Sequence, residues 1–213
     1  PLSTTDGTLV NAVYGFSRIL LTAIRNLEPE YLAVAFDHKA PTKRSETFKD
    51  YKANRPAMPD DLRPQIEIVK EVVSTLNIPQ FEEAGVEADD LIGSITQELS
   101  ENPTNQATIV TSDKDLLQLV DDEIHVWMPA RGRGNGDQEF DPLAVQKLLG
   151  VAPQQIIDLK ALMGDASDNI PGVKGIGKKT AQKLIAEYQS LDGVYQRVEQ
   201  LVKNPNLSDP LIK

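Results

Sequence analysis

The sequence predicts an α/β fold, a parallel sheet carrying helices on both faces and followed by a helical subdomain. Three observations predict it. Apolar residues switch repeatedly between helical spacing and short β-rich runs, the chain turns wholly helical after Phe140, and 40% apolar content over 213 residues supplies a core.

The elements follow in order. Val13, Phe16, Leu20, Ile24 and Leu27 recur at helical spacing, and YLAVAF, Tyr31 to Phe36, reads as a buried strand ending at Asp37. From Lys39 to Pro64 the periodicity fails and the segment becomes basic and proline-punctuated, an insertion between core elements. Ile66, Val69, Val73 and Leu76 mark the next helix. Residues 87–99 read as a helix, 107–111 as a strand, 114–120 as a short helix and 124–129 as a strand. Such alternation is the signature of βαβ units, whose strands run parallel. ARGRGNGDQEF, residues 130–140, reads as a flexible glycine-rich connection. Beyond it Asp141 caps PLAVQKLLG, Pro153 opens PQQIIDLKALMG, and helices follow over Lys178 to Tyr188 and Leu191 to Leu201. The expected division is a core over 1–140 with a basic segment at 39–64, then a helical subdomain over 141–213.

Composition excludes several classes. Neither a long apolar run nor a signal-like leader is present, so a soluble cytoplasmic protein without membrane contact is expected. With no cysteine, disulfides, thiolate-bound zinc, iron–sulfur clusters and a thiol nucleophile are excluded. Two isolated histidines do not make a histidine metal site, so any metal must be held by carboxylates. The net charge of −10 opposes nucleic acid unless positive charge is clustered.

The acidic candidates are Asp37, Glu87, Asp89, Asp90, Asp113, Asp115, Asp165 and Asp168, each at a strand end or a helix or loop start. Topology places Asp37 and Asp113 at the carboxyl ends of strands, the rim where α/β sheets bind ligands. In EADD, Glu87 and Asp90 share one helix face and Asp89 points to a neighbouring one. Each pattern has a plainer explanation: Ser112 and Asp115 fit a capping box, Glu87 to Asp90 answer a helix dipole, and Asp165 and Asp168 fit a turn. Jointly, however, converging carboxylates repel one another unless cations are bound, and an all-oxygen set suits Mg²⁺ or Mn²⁺. The group is richer than one such ion requires, and two ions roughly 4 Å apart can activate water and stabilise the leaving oxygen of a phosphodiester.

The basic segment carries Lys39, Lys43, Arg44, Lys49, Lys52, Arg55 and Arg63, with Phe48 and Tyr51 between them. Cations with aromatic neighbours are the parts of a single-strand groove, although charge runs are more often merely solvated. Directly after Asp37, this one is placed for Lys52 or Arg55 to neutralise charge developing on a phosphate.

GVKGIGKKT, Gly172 to Thr180, nearly matches the phosphate-binding G-x-x-x-x-G-K-[ST] pattern. It fails because Lys179 replaces Ser or Thr and because SDNIP, not a strand, precedes it. The better reading is a helix–hairpin–helix type turn in which Gly172, Gly175 and Gly177 bring backbone N–H groups to a duplex phosphate, with Lys174, Lys178 and Lys179 adding charge. A ligand-free glycine turn is the plainer alternative.

AVYGF, AFDHKAP, YKANRPAMPDDL, EADDLIG, TSDKDLLQLV and GDASDNIPGVKGIGKKTA together resemble the 5′-nuclease domain of bacterial DNA polymerase I, within the flap endonuclease family, over nearly the whole chain. The resemblance implies a parallel-sheet, PIN-like nuclease core, a helical arch and a helix–hairpin–helix DNA-binding subdomain with its hairpin at 172–179. It implies a structure-specific 5′-3′ exonuclease and 5′-flap endonuclease with two Mg²⁺ or Mn²⁺ ions, and K⁺ at the hairpin. All eight carboxylates match metal-site positions. Glu87, Asp89, Asp90 and Asp113 resemble first-site ligands or their close support, and Asp115, Asp165 and Asp168 the second, looser group. Arg44, Lys52 and Arg55 match arch and phosphate-contact positions, with Lys52 the electrostatic catalyst. The implied partners are branched or nicked DNA with a 5′ flap and RNA primer–DNA duplexes. A monomer of the bacterial cytosol is implied too, its parent either fused to a polymerase or standing alone. The family opens with a strand bearing an Asp-Gly pair that Asp6–Gly7 does not match, so a fragment lacking one ligand is expected. The competing class is a non-catalytic DNA-binding relative, which predicts missing carboxylates; a P-loop NTPase comes third.

Overall fold

Helix α1 (Asn11–Leu27) packs on α3 (Arg63–Thr75) through the apolar stripes that the sequence shows, burying Leu20 and Ala23 against Val69 and Val73. The computed structural model describes residues 2–130, 136–204 and 206–212. They form two units: Pro1–Thr47 with Arg55–Ser94, and Phe48–Asn54 with Ile95–Lys213.

In the first unit, the N-cap of α1, Val10, makes no side-chain cap, and Gln65 of α3 supplies one instead. Gln65 is only 2% exposed; its Oε1 accepts the Ala12 N–H at 2.8 Å and its Nε2 donates to the Asp61 carbonyl at 2.9 Å. A helix-end N–H and a buried amide thereby satisfy each other. Strands β1 (Val34–Ala35) and β2 (Gln80–Phe81) pair in parallel with Val34 opposite Gln80, and the Phe36 N–H reaches the Phe81 carbonyl at 2.8 Å. The strand expected over 31–36 is therefore shorter, because only this brief ladder is offered to it; Tyr31 is 86% exposed. Within the basic segment Lys43–Thr47 forms a helix, α2, whose five residues are too few for periodicity to register. Helix α4 (Ala88–Ser100) begins here.

In the second unit β3 (Ala107–Val110) runs parallel to β4 (Ile124–Met128), with Ala107 opposite Ile124. The strand β5 (Gln138–Phe140) runs antiparallel to β4, with Val126 opposite Phe140. Two expectations are corrected here: residues 138–140 form a strand and are not part of the connection, and the sheet is not purely parallel. A three-residue strand whose sole apolar side chain is Phe140 shows no usable alternation, and its pairing is set by the buried Val126 opposite. The preceding stretch 131–135 lies outside the described residues. A 3₁₀ turn at Asp115–Leu119 links β3 to β4.

Helices α5 (Pro142–Leu149), α6 (Ile156–Met163), α7 (Lys178–Tyr188) and α8 (Leu191–Lys203) complete this unit. As expected, Asp141 caps α5, its carboxylate accepting the Ala144 N–H at 2.7 Å. Leu159 and Leu162 of α6, Leu184 and Ile185 of α7 and Val194 of α8 are buried together where these helices meet. Among the described residues no helix is long and apolar enough to cross a membrane.

Candidate active site

The loop after α6 is closed by glycines. Gly164 ends the helix at φ 78°, and Asp165 and Ile170 exchange N–H···O bonds of 2.8 Å that fold 165–170 into a narrow turn. A Cβ on Gly172 would lie 2.3 Å from the Met163 carbonyl carbon and 2.4 Å from the Gly164 nitrogen. Gly172 thus permits backbone to lie on backbone, and the Val173 N–H bonds the Leu162 carbonyl at 2.8 Å. This clamp fixes where the Asp165 and Asp168 carboxylates stand.

Asp115, Asp165 and Asp168 come together, each offering an oxygen such that all three atoms lie within 4.8 Å of one another. All the ligand atoms are hard oxygens, so the set fits a divalent ion of the Mg²⁺ or Mn²⁺ type. Asp165 belongs to the turn and to the cluster at once: its Oδ1 accepts the Ser167 N–H at 2.8 Å and hydroxyl at 2.6 Å, while Oδ2 bonds Lys160 beside Asp115. Asp113 orients its neighbour, Oδ1 accepting the Asp115 N–H at 2.9 Å. The 3₁₀ turn starts at Lys114, which itself makes no side-chain cap, and Asp113 takes the Asp115 N–H.

Sequence reasoning missed Lys160. Its ammonium pairs with Asp115 Oδ1 and with Asp165 Oδ2, the latter at 2.5 Å. Burial pushes the Asp165 carboxyl up, but the bonds from Lys160 and Ser167 outweigh it and hold the group at about 2. Burial also pushes Asp115 up, and there Lys160 offsets it only in part. The Lys160 ammonium, destabilised by its own burial, is held above its ordinary range by the two carboxylates. A signal existed: Lys160 is the single cation of the apolar helix IIDLKALM, five residues before Asp165.

Part of the basic segment belongs to the same unit. The Lys52 N–H donates to the Asp168 carbonyl at 3.0 Å, Asn54 Nδ2 to the Ala166 carbonyl at 2.7 Å, and Asn169 Nδ2 to the Asp50 carbonyl at 2.8 Å. Lys52 sits at φ 55° and Asn169 at φ 58°, left-handed conformations that these bonds sustain. The Lys52 ammonium lies 4.8 Å from the centre of the Tyr51 ring.

The first unit gathers a second acidic group. Asp37 Oδ1 accepts the Ala88 N–H at 2.8 Å, capping α4 from a distant strand end. Asp90 Oδ2 accepts the Glu87 N–H at 3.2 Å, and Glu87 is 8% exposed. Arg44, expected as a phosphate contact, here forks onto Asp90 at 2.7 and 2.5 Å and reaches Glu87 at 3.3 Å. Asp89 follows in the first turn of α4, Lys43 opens α2 on an exposed surface, and Arg55 lies in this unit as well.

At the hairpin, Gly175 takes φ 88° and Gly177 is the N-cap of α7, and a Cβ on either would meet nothing within 4 Å. Lys178 and Lys179 occupy the first turn of α7, where the helix dipole disfavours cations, and Lys174 is exposed beside them.

Two family models together match the chain from end to end: the 5′-3′ exonuclease N-terminal resolvase-like domain over residues 1–150 and the 5′-3′ exonuclease C-terminal SAM fold over 151–213. Among curated relatives, a DNA polymerase I of Mycobacterium leprae is 45% identical over 196 residues, 92% of this chain and 21% of that protein. A 5′-3′ exonuclease of Aquifex aeolicus is 41% identical over 199 residues, 93% of this chain and 67% of that protein. The chain thus spans about a fifth of the polymerase and two thirds of the exonuclease. Among solved structures, T5 5′-exonuclease with bound zinc matches with a TM-score of 0.71 at 23% identity, covering 87% of this chain and 70% of that one. The catalytic core of Rad2 in complex with DNA substrate matches with a TM-score of 0.59 at 22% identity, covering 98% and 69%. These likenesses establish the same α/β fold with its C-terminal helical subdomain, and the model over residues 1–150 establishes the lineage: the chain belongs to the 5′-3′ exonuclease family.

Proposed function

We propose that this chain is a metal-dependent, structure-specific 5′-3′ exonuclease and 5′-flap endonuclease of DNA replication and repair, with 1–140 as its nuclease core and 141–213 as its duplex-binding subdomain. The observation that carries the reading is the oxygen trio of Asp115, Asp165 and Asp168, whose loop is hydrogen-bonded to the segment bearing Lys52. Asp115, Asp165 and Asp168 would hold one divalent ion, Mg²⁺ or Mn²⁺, and the carboxylates around Glu87 would hold another. When bound, such ions activate water and stabilise the charge on a cleaved phosphodiester.

The chain's own residues do the rest. Lys52, its backbone fixed on Asp168, turns its ammonium from the Tyr51 ring to the phosphate and neutralises developing charge. Arg44 and Arg55 would contact neighbouring phosphates, Arg44 by exchanging its carboxylate partners for one. Gly175 and Gly177 leave the start of α7 open to a backbone phosphate, and Lys174, Lys178 and Lys179 supply the charge that makes their unfavourable placement worthwhile. K⁺ joins the phosphate there. The substrates are flapped or nicked DNA and RNA primer–DNA duplexes, met in the bacterial cytosol by a monomer.

The test is Mg²⁺-dependent cleavage of a 5′-labelled flap duplex by this chain and by a version extended with the family's Asp-Gly strand. The extended protein is expected to cut near the flap junction, and Asp168→Asn to abolish cutting while retaining binding. An extended protein that binds the flap without cutting it, with Asp168→Asn indistinguishable, would leave only the non-catalytic relative.

A further inference from the structure

We infer that Lys160 is a resident counter-ion of the Asp115, Asp165 and Asp168 pocket, competing with the divalent ion and keeping it weakly held and exchangeable. The inference rests on reading those three carboxylates as ligands. Its ground is that the ammonium is bound to two of the three carboxylates an ion would need. Lys160 pairs with Asp115 Oδ1 and Asp165 Oδ2, and the clustered ligand atoms belong to the same carboxylates.

Three features fix Lys160 in this role. It projects from the last turn of α6, a rigid helix whose Leu159 and Leu162 are buried. Its side chain is 28% exposed, enough desolvation to strengthen its pairing and enough opening for the ammonium to swing aside. Asp165 needs no help in orientation, because Ser167 already fills Oδ1 with two hydrogen bonds. Lys160 therefore acts on the pocket through charge. Three carboxylates and one ammonium sum to −2, which one divalent ion cancels; without Lys160 the pocket stands at −3 and draws a cation harder.

This predicts the reverse of the usual result for a partner of a metal ligand, whose loss weakens binding by about 10–100-fold. Mn²⁺ binding, followed by the disappearance of the free-ion EPR signal and by titration calorimetry at low ionic strength, is compared in the natural chain, Lys160→Met, Lys160→Arg and Asp168→Asn. Lys160→Met is expected to bind Mn²⁺ about tenfold more tightly, at the low end of that range. It should melt at a lower temperature than the natural chain in EDTA and gain more from added Mn²⁺. Lys160→Arg keeps the charge and should bind as the natural chain does. Should Lys160→Met fail to fold, Lys160→Gln, uncharged but still a donor, carries the same expectation. Binding to Lys160→Met that is unchanged or weaker, with Asp168→Asn impaired, overturns the counter-ion role alone. Asp168→Asn binding as well as the natural chain overturns the metal reading itself and this inference with it.

Discussion

A single methyl group decides the geometry of the candidate metal loop. In Gly172→Ala the new Cβ would overlap the Met163 carbonyl carbon at 2.3 Å, and neither partner is a side chain that can rotate away. Either the 164–172 loop opens or the end of α6 shifts, at a cost of about 1–3 kcal/mol. Urea denaturation should show that loss, and flap cleavage should fall with it because Asp165 and Asp168 move. Lys52→Ala makes the opposite prediction, since the backbone bond to Asp168 does not depend on the side chain that carries the ammonium. Single-turnover cleavage should slow about 100-fold or more while duplex affinity changes little, the mark of an interaction made in the transition state. Equal losses in binding and turnover would reduce Lys52 to an ordinary phosphate contact.

Helix α1 shows how one element depends on another's side chain. Gln65→Ala removes the acceptor for the Ala12 N–H and leaves a gap in a position only 2% exposed, so about 1–3 kcal/mol of stability should go, measured by thermal and urea unfolding. The C-terminal segment is tied to α7 and α8 by charge instead. Hydrogen bonds from Tyr188 at 2.6 Å and Arg197 at 2.8 Å hold the Asp209 carboxyl down at about 2. Because its folded pKa lies below the ordinary value of 3.8, this tie is fully present above that value and is lost as pH falls towards 2. Protection of the 206–212 amides should therefore persist at pH 4 and vanish near pH 2, and Asp209→Asn should flatten that dependence. At this scale the sequence was legible where an element carries its own signal: α1, α3, α5, α7 and α8 have apolar periods or Asp and Pro at their starts. It was illegible for β2, β5 and α2, whose two, three and five residues owe their form to a partner strand or to local turns.

For the whole molecule, the family was readable because carboxylates and glycines punctuate the chain in recognisable motifs, and three of those carboxylates, Asp115, Asp165 and Asp168, meet in space. The cations were harder to read. Lys160 looks like an interruption of an apolar helix until the fold brings Asp115 beside it, and Arg44 looks like a surface charge until Glu87 and Asp90 flank it. The two units also differ in how much apolar surface they remove from water. In the first, the buried apolar side chains are Leu20, Ala23, Val69 and Val73, whereas the second buries both the β3–β4–β5 face around Trp127 and the helical cluster of Leu159, Leu162, Leu184 and Ile185. Local stability follows buried apolar contact, so cooperative opening should begin in the first unit. Hydrogen exchange followed by mass spectrometry should find amides of 11–27 and 63–75 exchanging well before those of 156–163 and 178–188, through openings below the global unfolding free energy. Uniform protection across both sets would mean that the chain unfolds as one cooperative body, with the thinner core sustained by the thicker one.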